Sequence, residues 1–431
     1  MINSKNFIEI QEILKKDEKI IQNSNCILDI SGSGQFIPQM FFLNPNAIYY
    51  SLEKNEGVQF HRNSFPFPVC MSITRKEFKK MKNENLNKKR FDYVIGNPPY
   101  QRDCENGATA IYNEFVDKGR ELSESGSVII PARWAFRAGR NKSWSKKIRK
   151  DENLELTAYY PDATEIFSDV VIAGGVCVLH WGDGVHTPGG IGGKYDCLIP
   201  SQTMYGILEK VCPTYPNMPN KFMDRVGTRN RFLVIDDKTG KVICHSGEGL
   251  KFHSHFKYSL TENDNPEDFV RVACLKGKAG VRIWVFVPKS WLNCPIDYKH
   301  YKVFIPNSGG NSTPDFIEKG DVILSKPFAE IGKPGDLCTA TFIPVLADSY
   351  EESVNIQKYL QTKFLRGMVS VLKITQNAAK EVYDFVPDQD FTSSSDIDWS
   401  LSISEIDKQL YKKYSLTKEE IEFVEKRVKK L

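Results

Sequence analysis

Short apolar runs rich in β-branched residues alternate with segments of helical spacing through the first half of the chain. Phe7, Ile8, Ile10, Ile13 and Leu14 recur at helical intervals and predict an opening amphipathic helix. Cys26 to Ile30 (CILDI) has the pattern of a buried strand and runs straight into a glycine turn, Ser31-Gly32-Ser33-Gly34. Further strands are expected from Ala47 to Leu52, ending at Glu53, from Phe91 to Ile95, from Ser127 to Ile130, and in the long run Asp169 to Trp181. Strands separated by helices imply right-handed crossovers and a mostly parallel sheet in an α/β sandwich. Strand ends at Gly32, Glu53 and Asn97 then share one edge, where open sheets of this kind bind ligands.

The texture changes after Gly182 to Gly193, where glycine and proline dominate. RFLVIDD and KVICHS flank Lys238-Thr239-Gly240 as a hairpin would, and VRIWVFVP and DVILSKPF are further strand-like runs. A helical segment is expected from Glu351 to about Tyr383, followed by the loop FVPDQDFTSSSD. Capping boxes at Ser404-x-x-Asp407 and Thr417-x-x-Glu420 predict a closing helical hairpin, with Ile421, Val424, Val428 and Leu431 on its inner side. The expected domains are 1–195, 196–350 and a helical end at 351–431.

With 431 residues and 41% hydrophobic content, two domains with sizeable cores are the natural expectation. No run approaches the ~18 apolar residues of a membrane span, and the first residues lack the apolar core of a secretory signal, so a cytoplasmic protein is expected. The ten cysteines form no C-x-x-C pair, which argues against a zinc ribbon or a disulfide scaffold. His253 and His255 lie close together without an apparent acidic or cysteine partner, so no metal is expected. Net charge is only +4, but its distribution is uneven. Arg133, Arg137, Arg140, Lys142, Lys146, Lys147, Arg149 and Lys150 follow one another without an acid, interleaved with Trp134, Phe136 and Trp144. Cations with aromatic neighbours suit a phosphate backbone and unstacked bases; a solvated helix anchored by its two Trp rings is the alternative.

Asn97-Pro98-Pro99-Tyr100 follows the strand FDYVIG directly. Each proline fixes φ and removes an N–H, so the loop is stiff and presents acceptors rather than donors. An exocyclic adenine amine is a poor nucleophile because its lone pair is delocalised into the ring. The Asn97 amide oxygen and the Pro98 carbonyl can each accept one of its hydrogens, favouring a pyramidal nitrogen able to attack a sulfonium-bound methyl. That step needs positioning and electrostatics but no general base. Tyr100 would stack on the base.

The tetrapeptide in this strand–loop setting resembles motif IV of the amino-methyltransferases. ILDISGSGQF resembles their cofactor motif, although Ile30 stands where proline is usual and the turn is one residue short. VIIPARW and EIFSDVVIAGGVCVLHW resemble later motifs. Their order matches the gamma arrangement, and together with the tail TKFLRGMVSVLKITQNAAKEVYDFVPDQDF they look like the methyltransferase component of type II restriction–modification systems. The resemblance implies a Rossmann-like methyltransferase domain followed by a mixed α+β target-recognition domain, with double-stranded DNA as partner and S-adenosyl-L-methionine as cofactor. It implies that Asp29, Gly32 and Gly34 meet the methionine end, that Glu53 binds the ribose hydroxyls, that Asn63 takes the place of the acid that holds the cofactor's adenine, and that Phe167 sets a second ring against a flipped base. Arg133, Arg137, Arg140, Lys142, Lys146 and Lys147 are then the candidate DNA contacts, with base readout from loops within 225–345. Three alternatives stay open: a protein-glutamine methyltransferase, an rRNA methyltransferase, and a non-catalytic DNA-binding decoy descended from a methyltransferase. Pro314-Asp315 and Glu318-Lys319 lack the spacing of a nuclease site, so any endonuclease would be a separate chain.

Overall fold

The computed structural model describes residues 15–32, 35–52, 70–83, 89–102, 108–139, 141–167, 172–229, 231–277, 280–309 and 322–431. The opening helix expected at Phe7 to Leu14 lies outside them. The chain divides into two compact units, Met1–Pro200 and Ser201–Leu431.

In chain order the first unit contains α1 (Glu18–Asn23), β1 (Cys26–Asp29), α2 (Ile37–Leu43), β2 (Ile48–Leu52), β3 (Cys70–Ile73), α3 (Arg75–Lys80) and β4 (Phe91–Gly96). After these come β5 (Gln101–Arg102), β6 (Thr109–Ala110), α4 (Tyr112–Leu122), β7 (Ser123–Pro131), α5 (Lys142–Arg149), β8 (Glu155–Tyr160) and β9 (Val176–Trp181). Seven of the strands form one sheet in the order β3-β2-β1-β4-β7-β9-β8. Neighbouring pairs from β3 to β7 are parallel, and β9 alone runs against the rest. The mostly parallel α/β sheet expected from the sequence is what forms. From β1 the chain moves outward to β2 and β3, then returns to lay β4 on the other side of β1, so the topological switch point lies between β1 and β4. Ile37 and Met40 of α2 share one buried cluster with Ile27, Tyr93, Ile129 and Val178 from four strands. Burying each such side chain contributes roughly 1.5–3 kcal/mol.

Two strands carry no clear sequence signal. Cys70–Ile73 is only four residues long. Glu155–Tyr160 is half-buried at every position, so it offers no apolar–polar contrast. The run expected to be one long strand from Asp169 becomes strand only at Val176, because a turn precedes it: Gly175 has φ +70°, and a Cβ there would lie 2.1 Å from the Tyr160 carbonyl oxygen. Asp17, just before α1, turns its carboxylate into the sheet instead of capping the helix. It accepts from the Tyr93 hydroxyl at 2.6 Å and the Ser127 hydroxyl at 2.5 Å, and His180 Nδ1 sits 2.8 Å from Ser127 Oγ. A buried carboxylate is tolerable only with such partners.

The second unit opens with α6 (Gln202–Val211) and the hairpin β10 (Leu233–Ile235) and β11 (Val242–His245), whose turn is held by Asp236 accepting from the Lys238 and Thr239 N–H groups. Next come β12 (Phe269–Lys276), β13 (Val281–Pro288), β14 (Tyr301–Pro306), β15 (Leu337–Cys338) and β16 (Phe342–Ala347). They make a three-stranded sheet, β13-β12-β15, and a two-stranded one, β14-β16. The described part of DVILSKPF is not a strand. Pro327 removes a ladder donor, and the Phe328 N–H goes singly to the Phe304 carbonyl.

The segment expected to be helical from Glu351 to Tyr383 is broken. It contains α7 (Tyr350–Tyr359) and α8 (Lys363–Val369), with Thr362 capping the second, and a 3₁₀ turn at Lys380–Tyr383. The chain closes with α9 (Ile403–Lys413) and α10 (Lys418–Arg427). Thr417 and Glu420 form the expected box on α10, but the box on α9 is Ser402 with Glu405, not Ser404 with Asp407. Asp407 faces inward and accepts from the Lys363 and Phe364 N–H groups, capping α8 from a neighbouring helix. No helix among the described residues is long and apolar enough to cross a membrane.

Candidate active site

The edge of the sheet at the switch point is formed by the carboxyl ends of β1 and β4, the place where open α/β sheets receive ligands. Leaving β1, the chain turns at Gly32 with φ +80°, a conformation that only glycine adopts without strain. Asp29 holds this turn from beneath. It is 0% exposed, Oδ1 accepts from the Ser31 N–H at 2.7 Å, and Oδ2 accepts from the Phe36 N–H at 3.0 Å, at the start of α2. Burial raises the Asp29 pKa, while these backbone donors and Ser31 pull it down. Both oxygens are spent inside the protein, so this carboxylate shapes the turn. Gly34, Glu53 and Asn63, the other expected cofactor residues, lie outside the described residues.

At the end of β4, Gly96 lets the chain pass against β1: a Cβ there would sit 2.8 Å from Ile30 Cγ1 and 2.9 Å from the Ser31 nitrogen. Only a residue without a side chain fits, so Gly96 belongs to the site, although the sequence reading did not single it out. The Asn97 N–H then donates to the Ser31 hydroxyl at 3.0 Å, fastening the loop to the glycine turn. Pro98 is buried, Asn97 and Pro99 are half-buried, and the Tyr100 carbonyl accepts from the Ile111 N–H at 3.1 Å. Burial pushes the Tyr100 phenol above its ordinary range, with the Asn97 side chain pulling the other way. That ring therefore stays neutral.

Asn97, Pro98, Pro99 and Tyr100 line a cavity of about 830 Å³, together with Ser31, Arg133 and Phe167. The volume suits a nucleobase or a small ligand. Phe167 is half-buried, with its N–H on the Ala163 carbonyl at 2.8 Å, and its ring packs against the core cluster beneath the sheet edge. The fold thus gathers Tyr100 and Phe167, 67 positions apart in the sequence, on one cavity.

The basic segment divides between buried rings and exposed cations. Trp134, Phe136 and Trp144 are buried, with the two Trp rings edge-on at 6.1 Å, so they are core anchors and not a stacking surface for bases. Lys142, Lys146 and Lys147 occupy the exposed face of α5. Arg137 is half-buried and donates to the Tyr195 carbonyl at 3.2 Å, and Arg149 is buried against Asp196 and the Trp134 carbonyl. Those two cations are tied up within the unit. Arg133 donates through Nε to the Ala173 carbonyl at 2.7 Å and borders the cavity. Arg140 lies outside the described residues.

The second unit has its own cavity, of about 980 Å³. Arg229, Arg231, Arg282, His245, Asn293 and Asn307 line it, with no acid among the described residues around it. Arg229 and Arg231 are exposed, and Arg282 donates to the Pro327 carbonyl at 2.6 Å. Asn307 is 5% exposed and its Oδ1 has no partner among the described residues, a costly state that a bound hydrogen-bond donor would relieve. No motif marks this site. The fold also gives His255 what its sequence surroundings did not suggest, an acid and a thiol: Glu248 Oε2 lies 3.2 Å from its Nε2, and Cys244 is close to both. The described cysteines are all free thiols.

Residues 51–167 match the family model of the Eco57I restriction-modification methylase, a stretch that contains β4 and its loop and ends at Phe167. An adenine-specific methylase of Mycoplasma pneumoniae, itself uncharacterised, is 31% identical over 112 residues. That match covers 24% of this chain and 26% of the relative, so the chain spans about a quarter of the length of that curated protein. Among solved structures, the type IIG restriction endonuclease BpuSI is similar at 12% identity, covering 97% of this chain and 64% of that one, with a TM-score of 0.39. A dimethyladenosine transferase from Plasmodium falciparum is similar at 9% identity, covering 44% and 63%, with a TM-score of 0.27. The resemblance to adenine methyltransferases of restriction–modification systems is borne out over the segment that holds the Asn-Pro-Pro-Tyr loop.

Proposed function

We propose that the chain is an S-adenosylmethionine-dependent DNA methyltransferase acting on the N6 amine of an adenine turned out of the duplex. The observation that carries this reading is the Asn97–Tyr100 loop at the end of β4, bonded to the β1 glycine turn and opening onto a cavity with Tyr100 and Phe167. The Asn97 amide oxygen and the Pro98 carbonyl accept the two amine hydrogens and bring the nitrogen lone pair out of conjugation. Tyr100 and Phe167 hold the base by stacking, each worth ~1–3 kcal/mol, which offsets the few kcal/mol needed to extrude it.

The cofactor fits the same edge of the sheet. The Gly32 turn brings bare backbone to the surface there, and Asp29 keeps it in shape. Residues Ser31 and Gly32, with Gly34, Glu53 and Asn63, would hold S-adenosylmethionine, whose sulfonium supplies an electrophilic methyl group. Arg133, Arg140, Lys142, Lys146 and Lys147 would meet phosphates around the cavity. In the second unit, Arg229, Arg231 and Asn307 would meet the target DNA. A cavity with three arginines and no acid among the described residues suits a nucleic acid better than a glutamine side chain, which favours DNA over a protein substrate.

The test is incubation of the purified chain with methyl-labelled cofactor and duplex DNA, then nuclease digestion and mass spectrometry of the nucleosides. N6-methyladenine is expected. Label in no nucleoside, together with no heat of cofactor binding in the presence of DNA, would leave a DNA-binding decoy as the correct reading. Label on rRNA or glutamine instead would move the enzyme to another substrate class.

A further inference from the structure

We infer that the second unit carries a three-ligand zinc site formed by Cys244 Sγ, a Glu248 carboxylate oxygen and a His255 ring nitrogen. These atoms all lie within 4.8 Å of one another. Bonds of 2.0–2.3 Å to a tetrahedral ion place ligand atoms roughly 3.3–3.6 Å apart, so a small inward movement completes the geometry. The Glu248–His255 pair is already there, at 3.2 Å. One thiolate, one imidazole and one carboxylate form a donor set that favours zinc over the hard cations, and the fourth position falls to water or an incoming group.

The surroundings prepare each ligand. Cys244 is buried on β11, and Glu248 fixes its other oxygen by accepting from the His245 N–H at 3.2 Å. His255 ends the 3₁₀ helix Gly249–His255 and remains exposed enough to swing inward. The neighbouring histidines are otherwise engaged: His245 Nδ1 accepts from the Gly247 N–H, and His253 Nδ1 meets the Tyr258 hydroxyl at 2.6 Å. The thiol binds as thiolate and gives up its proton when the ion enters. The ion's structural effect is a clasp. It joins the 3₁₀ helix to β11 and fixes the segment His245-Ser246-Gly247, which forms part of the second unit's cavity wall.

The experiment is metal analysis of the full chain after loading with zinc and dialysis against metal-free buffer. One zinc per chain is expected, with affinity falling at least ~100-fold in Cys244→Ser and in His255→Ala. Cobalt in place of zinc should give a thiolate charge-transfer band that Cys244→Ser abolishes and Cys274→Ser, a change at a buried thiol not assigned to the site, retains. His255→Ala guards against misfolding as an explanation, because its side chain is partly exposed and the variant should melt with the metal-free wild type. Less than half an equivalent of zinc in the wild type, or full retention in Cys244→Ser, overturns the assignment.

Discussion

The two cavities make instructive opposites. The one in the first unit is centred on Ser31 and the proline-stiffened Asn97–Tyr100 loop, with further wall from stretches between Ala108 and Ala173, and Arg133 is the one cation among the described residues around it. The one in the second unit is slightly larger and has three arginines along a wall of hairpin and loop residues between Arg229 and Phe342. Bond-making chemistry needs a few atoms held rigidly, and consecutive residues on a sheet edge provide that. Reading a long polyanion needs donors spread over a surface, which a set of hairpins and loops provides. The contrast predicts that damage to the first cavity costs rate and damage to the second costs affinity.

Asn97→Ala should test that division most severely. Methyl transfer should fall by at least ~10³-fold, the scale of a lost electrostatic contact at the reacting atom, while duplex affinity by fluorescence anisotropy stays within about threefold. Equal losses in both would erase the distinction. Gly96→Ala comes next: its Cβ collides with Ile30 and Ser31, displacing the loop, and should reduce turnover about 100-fold without lowering the melting temperature by more than a few degrees. Retention of full turnover would show that the loop tolerates movement. Arg229→Ala with Arg231→Ala should weaken binding roughly tenfold and lower the slope of log affinity against log salt by about 1 to 2, with saturated turnover unchanged. A drop in saturated turnover would place those side chains in the chemistry. The smallest effect belongs to Ser402→Ala, which removes the α9 cap and should cost ~1 kcal/mol of stability in denaturant titration. Neither rate nor affinity should follow it, since Ser402 lines neither cavity.

Much of the first unit was legible because its central strands are mostly buried runs and its key loop is contiguous. CILDI, FDYVI and SVII became β1, β4 and β7, each longer or shorter by a few residues. The half-buried edge strand Glu155–Tyr160 was not legible, since its two faces differ too little. The basic stretch misled in part, because sequence shows the charges but not which face they take. Trp134, in the buried 3₁₀ turn Ala132–Phe136, and Trp144, on the inner face of α5, point inward, Lys146 and Lys147 stay outside, and Arg137 and Arg149 are claimed by carbonyls and an aspartate. In the second unit, Ser404 and Asp407 mimicked a capping box, yet Asp407 serves a different helix, a contact that only tertiary packing creates. The Arg229–Asn307 cavity is likewise a product of long-range folding, whereas Cys244, Glu248 and His255 lie within twelve residues of one another at a spacing that matches no common metal motif.

The bond from the Asn97 N–H to the Ser31 hydroxyl, with Gly96 pressed against Ile30, has a consequence for accuracy. Two reactants carried on separate loops would each wander, and their misalignments would add. Under the proposed function, the carriers of cofactor and base are joined at a single point, so their relative position is set by one hydrogen bond and one steric stop.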